Sequence, residues 1–421
     1  MKSVTRIAAM VLLIVVFHVP AFAASQPVFP GAVGFGADSR AGTDGEVIRV
    51  TNLEGDGPGS LRAALETPGE RLVVFEVAGV IDLDGKGLAI REPFVTVAGQ
   101  TAPSPGITII GGGLSVTTHD VLIQHVRIRP GDRGKPKGSG WEPDGLSTSG
   151  GNCYNIVVDH CSLTWAVDEN LSASGPRLDG PEATSHRITF SNNIIAEGLH
   201  DSSHSKGPHS KGTLIHDFCQ DIAIIGNLYA HNHQRNPYFK AFTTGVIVNN
   251  VIYNPGSYAI QLGYHPPEWR DSDYEPQNCR VSIVGNLLVH GADTRKGLQL
   301  ATRPGDVYFE DNLAFDVEGK PVEIHDKSIT VLDEQPAWPE GLRPVPAAGV
   351  ADSVVEHAGA RPWDRDAIDR RIIQTFIERT GRIIDSQEEV GGYPTHEPVR
   401  RALDVPESNR RVWLSTLRPS D

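Results

Sequence analysis

Short runs of alternating apolar residues, each closing on an asparagine and a further apolar residue, recur through the middle of the chain. ITFSNNII at 188–195 is followed by IAIIGNLY at 222–229, VIVNNVIY at 246–253, VSIVGNLL at 281–288 and VYFEDNLAF at 307–315. Two upstream runs, VLIQHV at 121–126 and IVVDHC at 156–161, keep the apolar pattern without the asparagine. Alternation in short, β-branched runs predicts strands. Counted from Val126 through Cys161, Asn193, Asn227, Asn250, Asn286 and Asn312, equivalent positions lie 35, 32, 34, 23, 36 and 26 residues apart. A variable spacing above such a floor predicts coils of a solenoid joined by loops of unequal length. No coil buries its apolar face alone, whereas a stack buries a continuous column. An asparagine at a fixed corner can pair its amide with the next coil and form a ladder. Propeller blades need several strands each at an even spacing, which these intervals do not offer. The expected fold is all-β, a right-handed parallel β-helix.

Both ends depart from the repeat. SLRAALE at 60–66 reads as a short amphipathic helix with Ser60 as its N-cap, covering the open end of the first coil. Ile368, Ile372, Ile373, Phe376 and Ile377 fall at helical spacing and predict a helix packed on the solenoid. The proline-rich stretch 335–346 reads as a wrap-around linker, since the chain beyond it is too short to hold its own core. At the N-terminus, Lys2 and Arg6 flank an apolar stretch at 7–19, and Ala21 and Ala23 form a small-x-small cleavage site before Ala24. The expected organisation is a signal peptide at 1–23, a β-helix catalytic domain at 24–334 and a packed C-terminal linker and helix at 335–421. The mature protein is expected to be secreted, without a membrane span, and monomeric.

Composition narrows the partners. The 44 glycines and 30 prolines suit a turn-rich β architecture, and the formal charge of −14 argues against nucleic acid as a partner. A polyanionic substrate would then need a local cationic site or a bridging metal. The four cysteines, Cys153, Cys161, Cys219 and Cys279, match no zinc pattern and read as buried thiols, with a Cys153–Cys161 bridge left open.

Because coils stack, residues at one offset from the asparagine should line up along a face. Eight positions past it stand Glu169, Asp201 and Arg235, with Asp168 one position earlier. Carboxylates beside an arginine on successive coils read either as a site or as a surface ion-pair ladder, and loop insertions can break such a register. The polar segment HSKGPHSKG at 204–212 is a poor strand and reads as a functional loop. RNPYFK at 235–240 sets Arg235 and Lys240 five residues apart, on opposite strand faces unless the bend at Pro237 swings both into one groove.

Nearly the whole mature chain resembles pectate lyase family 1 of the polysaccharide lyases, in its secreted bacterial branch. The resemblance rests, in order, on AVGFGA at 32–37, VAGQTA at 97–102, VRIRPG at 126–131, VDHCS at 158–162, DENLS at 168–172, HSKG at 204–207 and the stretch 379–392. It implies that Arg235 is the catalytic base and that Lys240 replaces a second, substrate-binding arginine, keeping charge but losing the bidentate fork. Lys206, with Lys211 as the alternative, matches the family's substrate-binding lysine. The resemblance also implies Ca2+ held by acidic residues, with Asp144 and Asp168 as matches. Thr164 stands where a further carboxylate is expected, and Glu169 or Asp201 would have to supply that charge. The implied activity is β-elimination on an acidic polysaccharide, pectate first. Another uronate polymer, a β-helix hydrolase using Asp168, Glu169 and Asp201, and a non-catalytic glycan binder are the alternatives.

Overall fold

A computed structural model describes residues 26–417; the predicted signal segment lies outside them. The recurrent runs form strands in three sheets, of eleven, ten and eight strands among the described residues, wound as a right-handed β-helix. Every strand pairing among them is parallel except that of Val399–Arg400 with Val77–Asp82 at the end of the ten-stranded sheet. One coil takes Gln220–Ile225 in the eleven-stranded sheet, Leu228–Ala230 in the ten-stranded sheet and Tyr238–Phe239 in the eight-stranded sheet. Thr244–Val248 then begins the next coil, beside Gln220–Ile225. Inward residues such as Ile188, Ile222, Val281 and Val307 stack in one fully buried column. Burial of this kind contributes about 1.5–3 kcal/mol per large aliphatic side chain.

The asparagines form the expected ladder at the corner between the first two sheets. Nδ2 of Asn193 donates to Oδ1 of Asn227 (3.0 Å), Asn227 to Asn250 (2.9 Å), Asn250 to Asn286 (2.9 Å) and Asn286 to Asn312 (3.0 Å). Each Oδ1 also accepts the backbone N–H of the asparagine one coil earlier. At the upper end, the Cys161 amide donates to Asn193 Oδ1 (2.8 Å). Buried corner amides that the sheets leave unpaired are thereby satisfied.

The ends are covered as the helical patterns require. Helix α1 (Leu61–Glu66) is capped by Ser60, whose side chain accepts from the Ala63 amide, and it buries Leu61, Ala64 and Leu65. Arg71, fully buried, donates to the carbonyls of Ala64 and Leu65 at the end of that helix. The stretch 335–346 runs along the outside of the eleven-stranded sheet, where Trp338 and Leu342 pack on Val246, Val248 and Val284. Helices α2 (Val350–His357) and α3 (Ala367–Glu378) cover the outer face of the ten-stranded sheet, burying Ile368, Ile372, Ile373 and Phe376. Ile377, counted in that stripe by its spacing, is 52 % exposed, because it sits at the edge of the buried arc. Asp366 and Asp369 of this element meet Arg127 and Arg129 of the solenoid: Arg129 bonds Asp366 (2.6 Å) and Asp369 (2.7 Å) with all partners buried. The last helix, α4 (Arg410–Thr416), returns to the first coils, where Leu414 and Leu417 pack on Leu72, Val74 and Ala98. The four cysteines are free and buried, and burial pushes each thiol up to about 12.

Candidate active site

The eight-stranded sheet and the loops that enter it from the ten-stranded sheet carry the charged residues. Strand Glu169–Ser174 lies between Leu146–Ser149 and Lys211–Ile215, so Glu169 is opposite Lys211, and Lys211 bridges in turn to Gln234. This register differs from the row expected eight positions past the asparagine. Residues 197–210 form a loop rather than strand, and Lys211 takes the place expected for Asp201. Asp201 instead pairs with Lys137 (2.7 Å) on that loop, and its amide donates to Asp385. Arg235 closes on the row through its backbone and side chain. Its carbonyl accepts from the Thr213 amide (2.6 Å), and its guanidinium contacts Glu169 Oε1. A Cβ on Gly212 would stand 2.4 Å from that carbonyl, so only glycine admits this approach.

A second, shorter asparagine network fixes the backbone beneath these residues. Asn170 accepts from the Ala166 amide and donates to Asn232 Oδ1 (3.2 Å), while Asn232 donates to Asn236 Oδ1 (3.1 Å) and to the Ile195 carbonyl (2.8 Å). Glu169 and Arg235 therefore sit directly beside fully buried, hydrogen-bonded anchors. Sequence reasoning missed this network: Asn170 and Asn236 lie at one offset from their anchors Cys161 and Asn227, but Asn232, which joins them, lies at another.

Asp144, Asp168 and Glu169 converge, with one carboxylate oxygen of each within 4.8 Å of the others. Asp144 Oδ1 accepts from the Glu169 amide (3.1 Å). Burial and the neighbouring Asp168 charge push the Asp144 carboxyl up to about 7. Three crowded carboxylates, one of them reluctant to ionise, suit a divalent cation, and an all-oxygen donor set is the one calcium prefers. Thr164, at the position lacking a carboxylate, is buried among apolar neighbours of the ten-stranded sheet; Glu169 is the acidic residue brought to the pair. A cleft of about 450 Å³ along the sheet face is lined by Leu114, Ser115, Glu142, Asp144, Ser147 and Asp168. A larger cavity of about 1120 Å³, lined by His290, Lys296, Phe315 and Arg379, holds none of these carboxylates.

The four cations occupy distinct settings. Burial pushes Arg235 below its ordinary value, opposed chiefly by Asp168. Lys211, buried on its strand and bonded to Gln234 (3.0 Å), is pushed down to about 8 by burial, with Asp168 opposing. Lys206 is exposed at the loop tip. Lys240 does not share a partner with Glu169. It is buried against Asp217 (3.0 Å) and Glu268 (2.6 Å), which also bind Arg177. His204 and His209 of the polar loop stack at 3.6 Å between ring centres and face Asp168. Glu142, Asp217 and Glu268 carried no signal in the sequence, because their partners come from distant loops.

A parallel β-helix that gathers carboxylates and cations on one sheet face, beside a surface cleft, is the class of architecture seen in polysaccharide-acting enzymes. The chain belongs to the pectate lyase family of polysaccharide lyases. It is 31 % identical over 388 residues to the probable pectate lyase C of Aspergillus flavus, covering 88 % of this chain and 82 % of that one. To the probable pectate lyase C of Neosartorya fischeri it is 30 % identical over 376 residues, covering 86 % and 80 %. No protein-family model matches it. Among solved structures it is similar in fold to Jun a 1, the major allergen from cedar pollen (TM-score 0.57, 18 % identity, 78 % of this chain and 92 % of that one). It is similar also to a thermostable pectate lyase (TM-score 0.52, 14 % identity, 80 % and 98 %). No helix among the described residues is long and apolar enough to cross a membrane.

Proposed function

We propose that this protein is a secreted pectate lyase that cleaves polygalacturonate by calcium-assisted β-elimination, with Arg235 as the base. The observation that carries the reading is the contact of Arg235 with Glu169 beside the Asp144–Asp168–Glu169 group, in a chain of the pectate lyase family. The proton at C5 of a uronate is α to a carboxylate and acidifies when that carboxylate is neutralised. Calcium held by Asp144, Asp168 and Glu169 would supply that neutralisation when bound. Lys211 stands one strand from Glu169 and adds a fixed cation where enolate-like charge develops; Lys206, exposed on the loop, reaches substrate only from the rim. Arg235 takes the C5 proton, the electron pair left behind forms the C4–C5 double bond as the C4–O4 bond breaks, and water protonates the departing O4, leaving an unsaturated end. Arginine is a weak base by its ordinary pKa above about 12. Burial works in its favour by penalising the charged form.

A hydrolase would place two carboxyl groups at least about 5 Å apart across the scissile bond. The clustering of Asp144, Asp168 and Glu169, with Asp201 elsewhere, suits a cation better. The decisive experiment incubates the protein with polygalacturonate, with and without chelator, and follows ultraviolet absorbance of unsaturated ends. Absorbance that grows with calcium and stops on chelation supports the reading; reducing ends without absorbance overturn it in favour of hydrolysis.

A further inference from the structure

The face of Asp168 turned away from Asp144 and Glu169 belongs to a second group of ligands. His209 Nε2 lies 3.1 Å from Asp168 Oδ1, and His204 Nε2 lies 3.5 Å from Oδ2. These three residues bring one donor atom each within 4.8 Å of one another. His204 is 1 % exposed, and its Nε2 is a buried polar atom without a hydrogen-bond partner. A buried imidazole nitrogen whose nearest partner is a carboxylate oxygen at 3.5 Å is stabilised by a further partner.

The other nitrogen of His204 shows what that is. Nδ1 lies 3.0 Å from Glu142 Oε2 and 3.0 Å from the Lys206 amide nitrogen. The Lys206 N–H donates to Nδ1 when the ring proton sits on Nε2. When the proton moves to Nδ1, it is donated to Glu142 instead, and the Nε2 lone pair points free toward Asp168. Glu142 is itself oriented, accepting from the Ser205 amide (3.1 Å) and hydroxyl (3.0 Å). These bonds hold its carboxyl below the ordinary range. A carboxylate behind a histidine whose far nitrogen faces other ligands is the arrangement that metal-binding histidines use to fix tautomer and ring orientation. Two nitrogens and one oxygen are softer than the all-oxygen neighbour and favour zinc or a similar transition ion over calcium.

We infer that Asp168, His204 and His209 form a transition-metal site, backed by Glu142, that takes Zn2+ with water completing its shell. Asp168 is common to this group and to the Asp144–Asp168–Glu169 group, so zinc there draws Asp168 from the carboxylate cluster and lowers lyase activity. That consequence rests on the lyase reading above; the binding itself does not.

The test titrates Zn2+ into the metal-free, untagged full-length mature protein by calorimetry, with Co2+ as a spectroscopic probe in parallel. One equivalent is expected to bind, with visible Co2+ bands of low-symmetry nitrogen–oxygen coordination. His204→Gln and His209→Gln are each expected to weaken Zn2+ binding at least about tenfold, and Glu142→Gln by about 10–100-fold, the range for a partner behind a ligand. Asp144→Asn is expected to leave the stoichiometry unchanged, which separates this site from the calcium reading: a protein without calcium dependence can still bind zinc here. Circular dichroism of the variants identifies any that fail to fold, and Glu142→Gln supplies a second probe outside the ligand set. Absence of binding to the folded protein, or equal affinity in folded His204→Gln and His209→Gln, overturns the inference.

Discussion

Arg235 and Lys211 divide the charge of the site between them, and their substitutions should separate proton transfer from electrostatic support. Arg235→Lys keeps the charge but loses the reach to Glu169. If Arg235 is the base, kcat falls by at least about 100-fold, the usual contribution of a positioned base. Lys211→Arg keeps a cation one strand from Glu169 and should retain more activity than Lys211→Gln. Steady-state kinetics on polygalacturonate measure both, and an Arg235→Lys enzyme with unchanged kcat removes the assignment. Activity should also climb toward alkaline pH, because proton removal needs the deprotonated fraction of a guanidinium that burial lowers. The role of Arg235 was suggested by sequence, through its offset and through RNPYFK. Of the two carboxylates the sequence aligned with it, Glu169 meets it and Asp201 does not, because the loop at 197–210 carries Asp201 to Lys137.

At the scale of elements, the asparagine ladder and the Arg–Asp clamp carry the architecture by different physics. Asn227 is fully buried and holds Asn193, Asn250 and the Phe190 carbonyl. Asn227→Ala leaves several buried polar groups unpaired and should cost about 3 kcal/mol or more, at about 1–3 kcal/mol per group. Asn312→Ala, at the partly exposed end of the ladder, should cost clearly less. Denaturant midpoints of the two variants decide whether burial sets the difference. In the clamp, Arg129 is completely enclosed with Asp366 and Asp369. Arg129→Met leaves two buried carboxylates with Arg127 as their remaining cation and should destabilise by about 3–5 kcal/mol, read by the same measurement. The ladder was legible because its period follows chain geometry. The clamp was not, because VRIRPG and the start of α3 are more than two hundred residues apart.

For the molecule as a whole, one buried and two half-buried neutral histidines make folding sensitive to acid. Burial pushes His216, His231 and His233 down to about 4, from the ordinary 6.5. A base whose folded pKa is lowered takes up its proton more readily unfolded, so unfolding gains as pH falls. The stability these residues contribute is complete above about pH 6.5 and is lost as pH falls toward 4. Thermal unfolding midpoints should therefore drop over that interval, and a midpoint flat from about pH 7 to about pH 4 would contradict it. Four buried free thiols set no crosslink, so added reductant should leave the midpoint unchanged.

The alternating runs and their asparagines determined the β-helix, and the ordered motifs determined the pectate lyase resemblance that the fungal relatives bear out. Both are periodic or contiguous properties: a strand faces the core by its own alternation, and a corner asparagine meets the next corner once the coils stack. Only the tertiary structure decided which loop residues meet. Glu169 rather than Asp201 joins Asp144 and Asp168, Lys211 rather than Lys206 stands in the row, and Lys240 turns to Asp217 and Glu268. Loop length breaks the one-to-one relation between offset and position, and the contacts of long charged side chains depend on partners that no local pattern encodes.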